Sequence, residues 1–400
     1  MNILTITTLY PNTEQERHGV FVENRLRKLR EKFPDVHITV IAPVPYFPLT
    51  WDKFGAYGKY AKIPYMEKRH GVTIYHPRYL VIPKIGMSIT PYFLYRCLYK
   101  LITKLQKQNE KFDLIDAHYF YPDGVAANRL AKKVSLPIAI TARGNDISLI
   151  PNYKTPRKLI KETLLEADAC IGVCKALVDE MKQIQPEQVN YYAFRNGVDL
   201  EVFTPLELSK RHELRAKYNV TEKFVLISVG HFIERKGHHL IIDALINLPN
   251  THLFLAGDGE LDNLLRQQVN NLSLQNQVTF LGAIPQTELL NFYGISDCMV
   301  LASSREGWAN VLLESMACGT PVVATPIWGT PEVVSEKSAG ILTKGRSADA
   351  IGQAILALQQ NYPDRKDVRK FSEKFSWDET STKLYNLFKV LIKRNKLCET

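Results

Sequence analysis

Short apolar runs alternate along this chain with longer segments whose apolar positions recur every three or four residues. Residues 2–7 alternate β-type side chains, and HGVFVENRLRKLREKF then places Val20, Phe21, Leu26 and Leu29 at helical spacing. The pattern repeats: HITVIAP and FDLIDAHY read as strands, GVAANRLAKKV as a helix and LPIAITARG as the next strand. Between them, residues 46–85 are rich in aromatics, Pro, Gly, Lys and Arg without steady periodicity, and are expected to form a long functional loop. After RNGVDLEVFTP, where Asn-Gly and Pro mark a turn, the alternation restarts with FVLISVG, THLFLAG, QVTFLG, DCMVLAS and GTPVVAT as buried parallel strands.

Strands alternating with helices predict parallel sheets with crossover helices, here in two domains, because 400 residues exceed what one core usually organises. The expected architecture is α/β, two Rossmann-like doubly wound domains facing an interdomain cleft, with the boundary near 1–200 and 201–375 and a terminal segment at 376–400. Such sheets bind ligands beyond the carboxyl ends of their strands.

Composition changes this picture in one respect. Of the net charge of +10, residues 1–200 hold all of it, with 29 Lys+Arg against 19 Asp+Glu, and the remainder is balanced at 22 against 22. A basic first half favours an anionic lipid surface or a polyanion as neighbour. Trp51, Phe54, Tyr57, Tyr60 and Tyr65, interleaved with Lys53, Lys59, Lys62, Lys68 and Arg69, and the helix-like TPYFLYRCLYKLITKL suit the headgroup region of a bilayer or a lipid phosphate; they equally suit a solvated loop and a core-facing helix. No run approaches the ~18 to 20 apolar residues of a membrane span. MNILTITTLYP lacks a basic n-region, so the expected location is cytoplasmic, with peripheral contact at a membrane's inner face. The six cysteines form no CxxC pair, and neither disulfides nor a metal are expected.

Four constellations carry candidate chemistry. In SSREGWANVLLESMACG, a strand ends before a polar loop, Gly307 admits a ligand to the backbone, and a helix with free N–H groups begins. Glu306 and Glu314, about 12 Å apart if both ride one helix, could hold two ends of an elongated ligand, or be a loop residue and a solvated helix residue. In SVGHFIERKG, Gly230 is followed by His231, Arg235 and Lys236, cations that could neutralise a departing diphosphate without a metal. In DAHYFYPDGVAA, His118 could contact a sugar hydroxyl or complete a loop. In TARGNDIS, Arg143 and Asp146 could form a polar rim or pair with each other, and Gly19 could admit a phosphate or be an ordinary loop glycine.

In their order, RHGVFVENR, His118, Asn196–Asp199, ERKG, EGWANVLLE, GTPVVAT, WGTPEVV and FSWDETSTKLYNLF resemble glycosyltransferase family 4, retaining enzymes of the GT-B fold, over essentially the whole chain. Residues 142–146 (ARGND) with DAHYFYPDGVAA and VGHFIERKGHH are most similar to a bacterial subgroup of teichuronic-acid and exopolysaccharide glycosyltransferases. The resemblance implies an acceptor-side first domain, a nucleotide-sugar-binding second domain and a last helix that returns to the first. It implies that Lys236 and Arg235 hold the donor diphosphate, that Glu306 faces the donor sugar with Glu314 on the ribose, and that His118 contacts the sugar. Gly230, His231, Gly307, Trp308, Ala309, Asn310 and Val311 would line the donor site. Departures are His231 where many members have Arg, Trp308–Ala309 where others have Phe-Gly, a single Gly19, and Arg143–Gly144 in place of a His-Gly pair.

The expected activity is transfer of a hexose or related sugar from a UDP- or GDP-type donor, a substrate and not a cofactor, to a lipid-linked or saccharide acceptor. A sugar-nucleotide epimerase or phosphorylase would share the architecture. A nucleic-acid-binding module would leave the neutral second half unexplained, and a nicotinamide dehydrogenase would need a GxGxxG that the first βαβ unit lacks.

Overall fold

The computed structural model describes residues 1–51, 55–82, 86–188 and 190–398. The chain gathers into two compact units, Met1–Asn196 with Trp377–Thr400, and Gly197–Ser376. It thus crosses between them twice, first inside the Asn-Gly turn.

The first unit contains β1 (Asn2–Ile6), β2 (His37–Ile41), β3 (Val44–Pro45), β4 (Met66–Arg69), β5 (Val72–Tyr75), β6 (Arg78–Tyr79), β7 (Leu114–His118), β8 (Ile138–Ala142), β9 (Ala169–Gly172) and β10 (Tyr191–Ala193). Eight of these form one sheet in the order β10-β9-β8-β7-β1-β2-β5-β4, while β3 and β6 pair separately. All neighbours in the large sheet are parallel except β4 and β5. The central strands are largely apolar, as suits a parallel sheet covered on both faces: Ile3, Leu4, Ile6, Leu114, Ile115 and Ile140 are fully buried, and the polar Thr5, Asp116, His118 and Thr141 are buried among them.

The edge differs from the sequence expectation. The segment 46–85, expected as a loop, holds a helix (Ala56–Lys62) and the β4–β5 hairpin, turned by His70 and Gly71 at positive φ. An edge strand is half solvated, and a charged one (MEKR) resists further pairing, so it carries no apolar alternation to detect. Phe54, Lys53 and residues 83–85 lie outside the described residues.

Helix Val20–Lys32 buries Val22, Leu26 and Leu29 in the same cluster as Leu384, Leu387, Phe388 and Leu391 of helix Trp377–Cys398. Tyr385 stacks on Phe33 at 3.9 Å, which joins the last helix to the first unit.

The second unit has β11 (Phe224–Val229), β12 (Thr251–Ala256), β13 (Val278–Gly282), β14 (Cys298–Leu301), β15 (Val322–Ala324) and β16 (Gly340–Leu342), all parallel in the order β13-β12-β11-β14-β15-β16. Both sheets therefore change direction beside their first strand, between β1 and β7 and between β11 and β14. At such a switch point consecutive loops diverge and leave room for a ligand. Among the described residues no helix is long and apolar enough to cross a membrane.

Gly19, which precedes helix Val20–Lys32, has φ +73°, and a Cβ there would lie 2.3 Å from the Leu9 carbonyl carbon. The space is taken by the chain's own backbone. Gly19→Ala is expected to lower stability by roughly 2 to 4 kcal/mol, combining positive-φ strain with overpacking; urea unfolding of the variant against the wild type measures it.

Candidate functional site

At the second switch point the loops after β11 and β14 touch through their backbones. Gly237 has φ +71°, and a Cβ there would sit 2.2 Å from the Ala302 carbonyl oxygen, so only glycine permits the approach. The Ser304 N–H donates to the Arg235 carbonyl at 2.8 Å. Arg346 donates to the carbonyls of Ala302 at 2.9 Å and Glu234 at 3.0 Å, tying both loops together.

This contact brings the sequence-predicted charges onto one atom. Lys236 Nζ donates to Glu306 Oε1 at 2.6 Å, Ser303 Oγ donates to the same oxygen at 2.7 Å, and Arg235 Nη1 lies 3.4 Å from it. Arg235 also donates to the Arg305 carbonyl at 2.6 Å. Burial works to raise the Glu306 pKa, but Lys236 and Arg235 outweigh it and hold the carboxyl below the usual range. The Lys236 stem runs past Gly230, whose added Cβ would stand 3.2 Å from Cε. The cluster carries two cations against one anion, a net positive charge beside the ends of two strands.

Glu306 lies in the loop before helix Asn310–Ala317, not on it, so the 12 Å helical spacing to Glu314 does not apply. The two carboxylates have different surroundings. Glu314 accepts from Gln286 Nε2 at 3.0 Å and from the Tyr293 hydroxyl at 3.1 Å. Burial pushes it up to about 7, with no cation beside it to offset the cost. Gly307 is half-buried at the bend, Ala309 is buried, and Asn310 and Val311 open the helix. Trp308 packs on Phe375 at 6.1 Å. His231 stands apart from the cluster, exposed, with Nδ1 3.3 Å from Asp258.

The first switch point is closed by Thr8, whose N–H donates to Asp123 Oδ2 at 2.5 Å and whose hydroxyl donates to it at 2.9 Å. Burial raises Asp123 to about 7. His118 is the last residue of β7 and fully buried. Arg143 Nη2 lies 2.6 Å from its Nδ1, and its Nε2 lies 3.1 Å from Asp116 Oδ2. Guanidinium has no acceptor, so Nδ1 must accept and the ring hydrogen sits on Nε2, donating to Asp116. Burial, reinforced by Arg143 and Arg25, pushes the imidazole down to about 4 despite Asp116, leaving it neutral at pH 7. With both nitrogens occupied and no exposed surface, His118 does not present its ring to a sugar in this arrangement.

Asp146 accepts from the backbone N–H groups of Phe120 at 2.8 Å, Arg143 at 3.0 Å and Gly144 at 2.7 Å. It organises the loop backbone and does not pair with the Arg143 side chain. Arg143 Nη1 instead donates to Asn196 at 3.0 Å, and its guanidinium lies over the Phe21 ring at 5.1 Å. The site residues of each unit thus form a cluster built within its own sheet.

Three participants escape a motif-based reading. Asp116 shares a sheet face with His118 by its two-residue offset. Arg25, 1% exposed, continues the buried stripe of Val22, Leu26 and Leu29, and its guanidinium meets no hydrogen-bond acceptor among the described residues. Ser303 completes the Glu306 shell. A charged residue at an apolar position of each period marks the first two; Ser303 has no such mark.

Glu314 generates a pH prediction. Its folded pKa is raised from 4.5 to about 7, so the native state holds its proton more tightly than the unfolded chain. Its favourable contribution is complete below 4.5 and is lost as pH rises through 7. Glu314→Gln is expected to gain on the wild type by roughly 3 kcal/mol between pH 4 and pH 8, read from paired urea titrations; a pH-independent difference contradicts the assignment.

Comparison with known proteins supplies the lineage. Residues 17–202 match the model of Glycosyltransferase Family 4, and residues 210–375 match that of Glycosyl transferases group 1. TuaC of Bacillus subtilis (strain 168), a glycosyltransferase assigned to teichuronic acid biosynthesis, is 28% identical over 361 residues, covering 89% of this chain and 88% of its own. The fold matches that of a sucrose-phosphate synthase from Thermosynechococcus elongatus, with TM-score 0.81 at 19% identity over 98% of this chain and 100% of that one. It also matches HepE from Anabaena, solved in complex with UDP-glucose, with TM-score 0.72 at 20% identity over 98% and 100%. Two family models in tandem, this relative and these GT-B neighbours account for both sheets and their connection, and the chain belongs to the glycosyltransferases of family 4.

Proposed function

We propose that this glycosyltransferase moves a hexose or related sugar, with retention, from a UDP- or GDP-type donor to a lipid-linked saccharide in surface-polysaccharide assembly. The observation that carries the donor half is the convergence of Lys236, Arg235 and Glu306 at the β11–β14 switch point. Lys236 and Arg235 meet the donor diphosphate, and their charge rises in value as the nucleotide leaves. Glu306, kept ionised by those cations, accepts hydrogen bonds from sugar hydroxyls. Glu314 accepts from the ribose. Front-side attack lets a donor phosphate oxygen take the acceptor proton, so the chain's task is to hold charge and orientation.

The acceptor half rests on surface chemistry. Along helix Thr90–Lys107 runs a groove of about 1020 Å³ lined by Arg78, Tyr92, Arg96, Tyr99, Lys100 and Lys104. Tyr92 and Tyr99 are exposed, as are Leu80, Trp51, Tyr57 and Tyr65. Aromatic rings beside long cationic side chains suit an anionic headgroup region. Arg69 is not part of this set, because it donates to Glu23 at 2.9 Å.

Two measurements test this reading. UDP or GDP is expected to raise the melting temperature of the wild type, with a stabilisation of about 2.7 kcal/mol at a hundredfold excess over Kd. Lys236→Ala is expected to lose that stabilisation and slow transfer ~10² to 10³-fold; a wild type that neither diphosphate stabilises refutes the donor assignment. The protein is expected to float with phosphatidylglycerol vesicles at low salt but not with phosphatidylcholine alone. Lys100→Glu with Lys104→Glu weakens flotation by roughly 2 kcal/mol, or about 30-fold.

A further inference from the structure

Arg143 stands at the carboxyl end of β8, one strand from the first switch point, where parallel sheets meet their ligands. Unlike His118 it is partly exposed. Three partners fix its guanidinium: the neutral His118 ring accepts from Nη2, Asn196 accepts from Nη1, and the Phe21 ring lies beneath at 5.1 Å. His118 is itself locked by Asp116, which is 1% exposed. Nε, which has no exposed surface of its own, meets no acceptor among the described residues, and each terminal nitrogen is recorded with a single acceptor. A guanidinium that had only to brace a loop would spend its donors on that loop; here a rigidly held fork, on a residue that is partly exposed, leaves donor capacity over at its terminal nitrogens and a buried Nε–H without an acceptor among the described residues.

The charged groups that bear on Arg143 are Arg25, Asp116 and Asp146. None of them neutralises the fork by direct contact, since the Asp146 carboxylate is taken by three backbone amides and Asp116 faces His118. A planar set of donors held in this way matches an oxyanion with two acceptor atoms, and Lys could not reproduce it.

We propose that Arg143 is the first unit's receptor for an oxyanion on the acceptor, a carboxylate or a phosphate, and that His118 is the positioning residue that aims it. The proposal rests on the transferase reading above. It gives His118 a role that needs no contact with substrate, and it makes acceptor charge a determinant of specificity.

The experiment is isothermal titration of the full chain, saturated with UDP, with octyl glucoside, octyl glucuronide and octyl glucoside 6-phosphate. The wild type is expected to bind at least one charged glycoside ten times or more tighter than the neutral one, and the two charged arms tell carboxylate from phosphate. In Arg143→Gln the ratio of charged to neutral affinity is expected to fall to near one. His118→Leu is expected to do the same with Arg143 still present, while His118→Gln, which retains an acceptor for Nη2, keeps part of the ratio. UDP affinity within threefold of wild type shows that each variant is folded. Equal treatment of the three glycosides by a UDP-binding wild type, including binding of none, overturns this proposal alone, as does an unchanged ratio in Arg143→Gln. A wild type that binds no nucleoside diphosphate overturns the transferase reading instead.

Discussion

In a parallel sheet every strand ends at the same edge, and where the chain changes winding direction two loops far apart in sequence must emerge side by side. The second unit depends on that constraint. Lys236 and Glu306 are separated by 70 residues, yet they meet at 2.6 Å because β11 and β14 are neighbours in the sheet. The Gly237 backbone against Ala302 sets the closeness of the loops, and that closeness leaves a carboxylate ionised in a largely dry place. Removing one partner of such a pair costs more than the pair itself contributes, because the other charge is left buried and unmatched.

The first unit meets the same constraint with a different balance. Thr5, Asp116, His118 and Thr141 line one stretch of sheet, since Thr5 pairs in register with Asp116 and His118 with Thr141. Arg25 enters this stretch from helix Val20–Lys32 with its guanidinium unpaired among the described residues, an arrangement that costs stability. What the cost supports is a fixed protonation state. Between Asp116 on one side and two guanidinium groups on the other, the imidazole stays neutral with its hydrogen on Nε2, and Arg143 is held through it.

Net charge and site charge are separate matters in this protein. The excess of +10 lies in the first half of the sequence, whereas the cluster of Lys236, Arg235 and Glu306 sits in a half with no excess at all. Surface charge acts over about a Debye length; the clustered cations act at hydrogen-bond distance, on Glu306.

The alternation of strands and helices, the restart after the Asn-Gly turn and the family motifs were legible in the sequence because buried strands are apolar and helices are periodic, both local properties of the chain. Those local signals fail at the β4–β5 edge, where half-solvated charged strands carry no pattern, and at Glu306, whose spacing to Glu314 suggested a shared helix that begins only at Asn310. Which side chains touch was decided by tertiary structure alone. That His118 faces Asp116 and Arg143, that Asp146 serves backbone amides and that Lys236 holds Glu306 all follow from strand order and register, and strand order is settled by how whole sheets bury their faces, not by the residues at their ends.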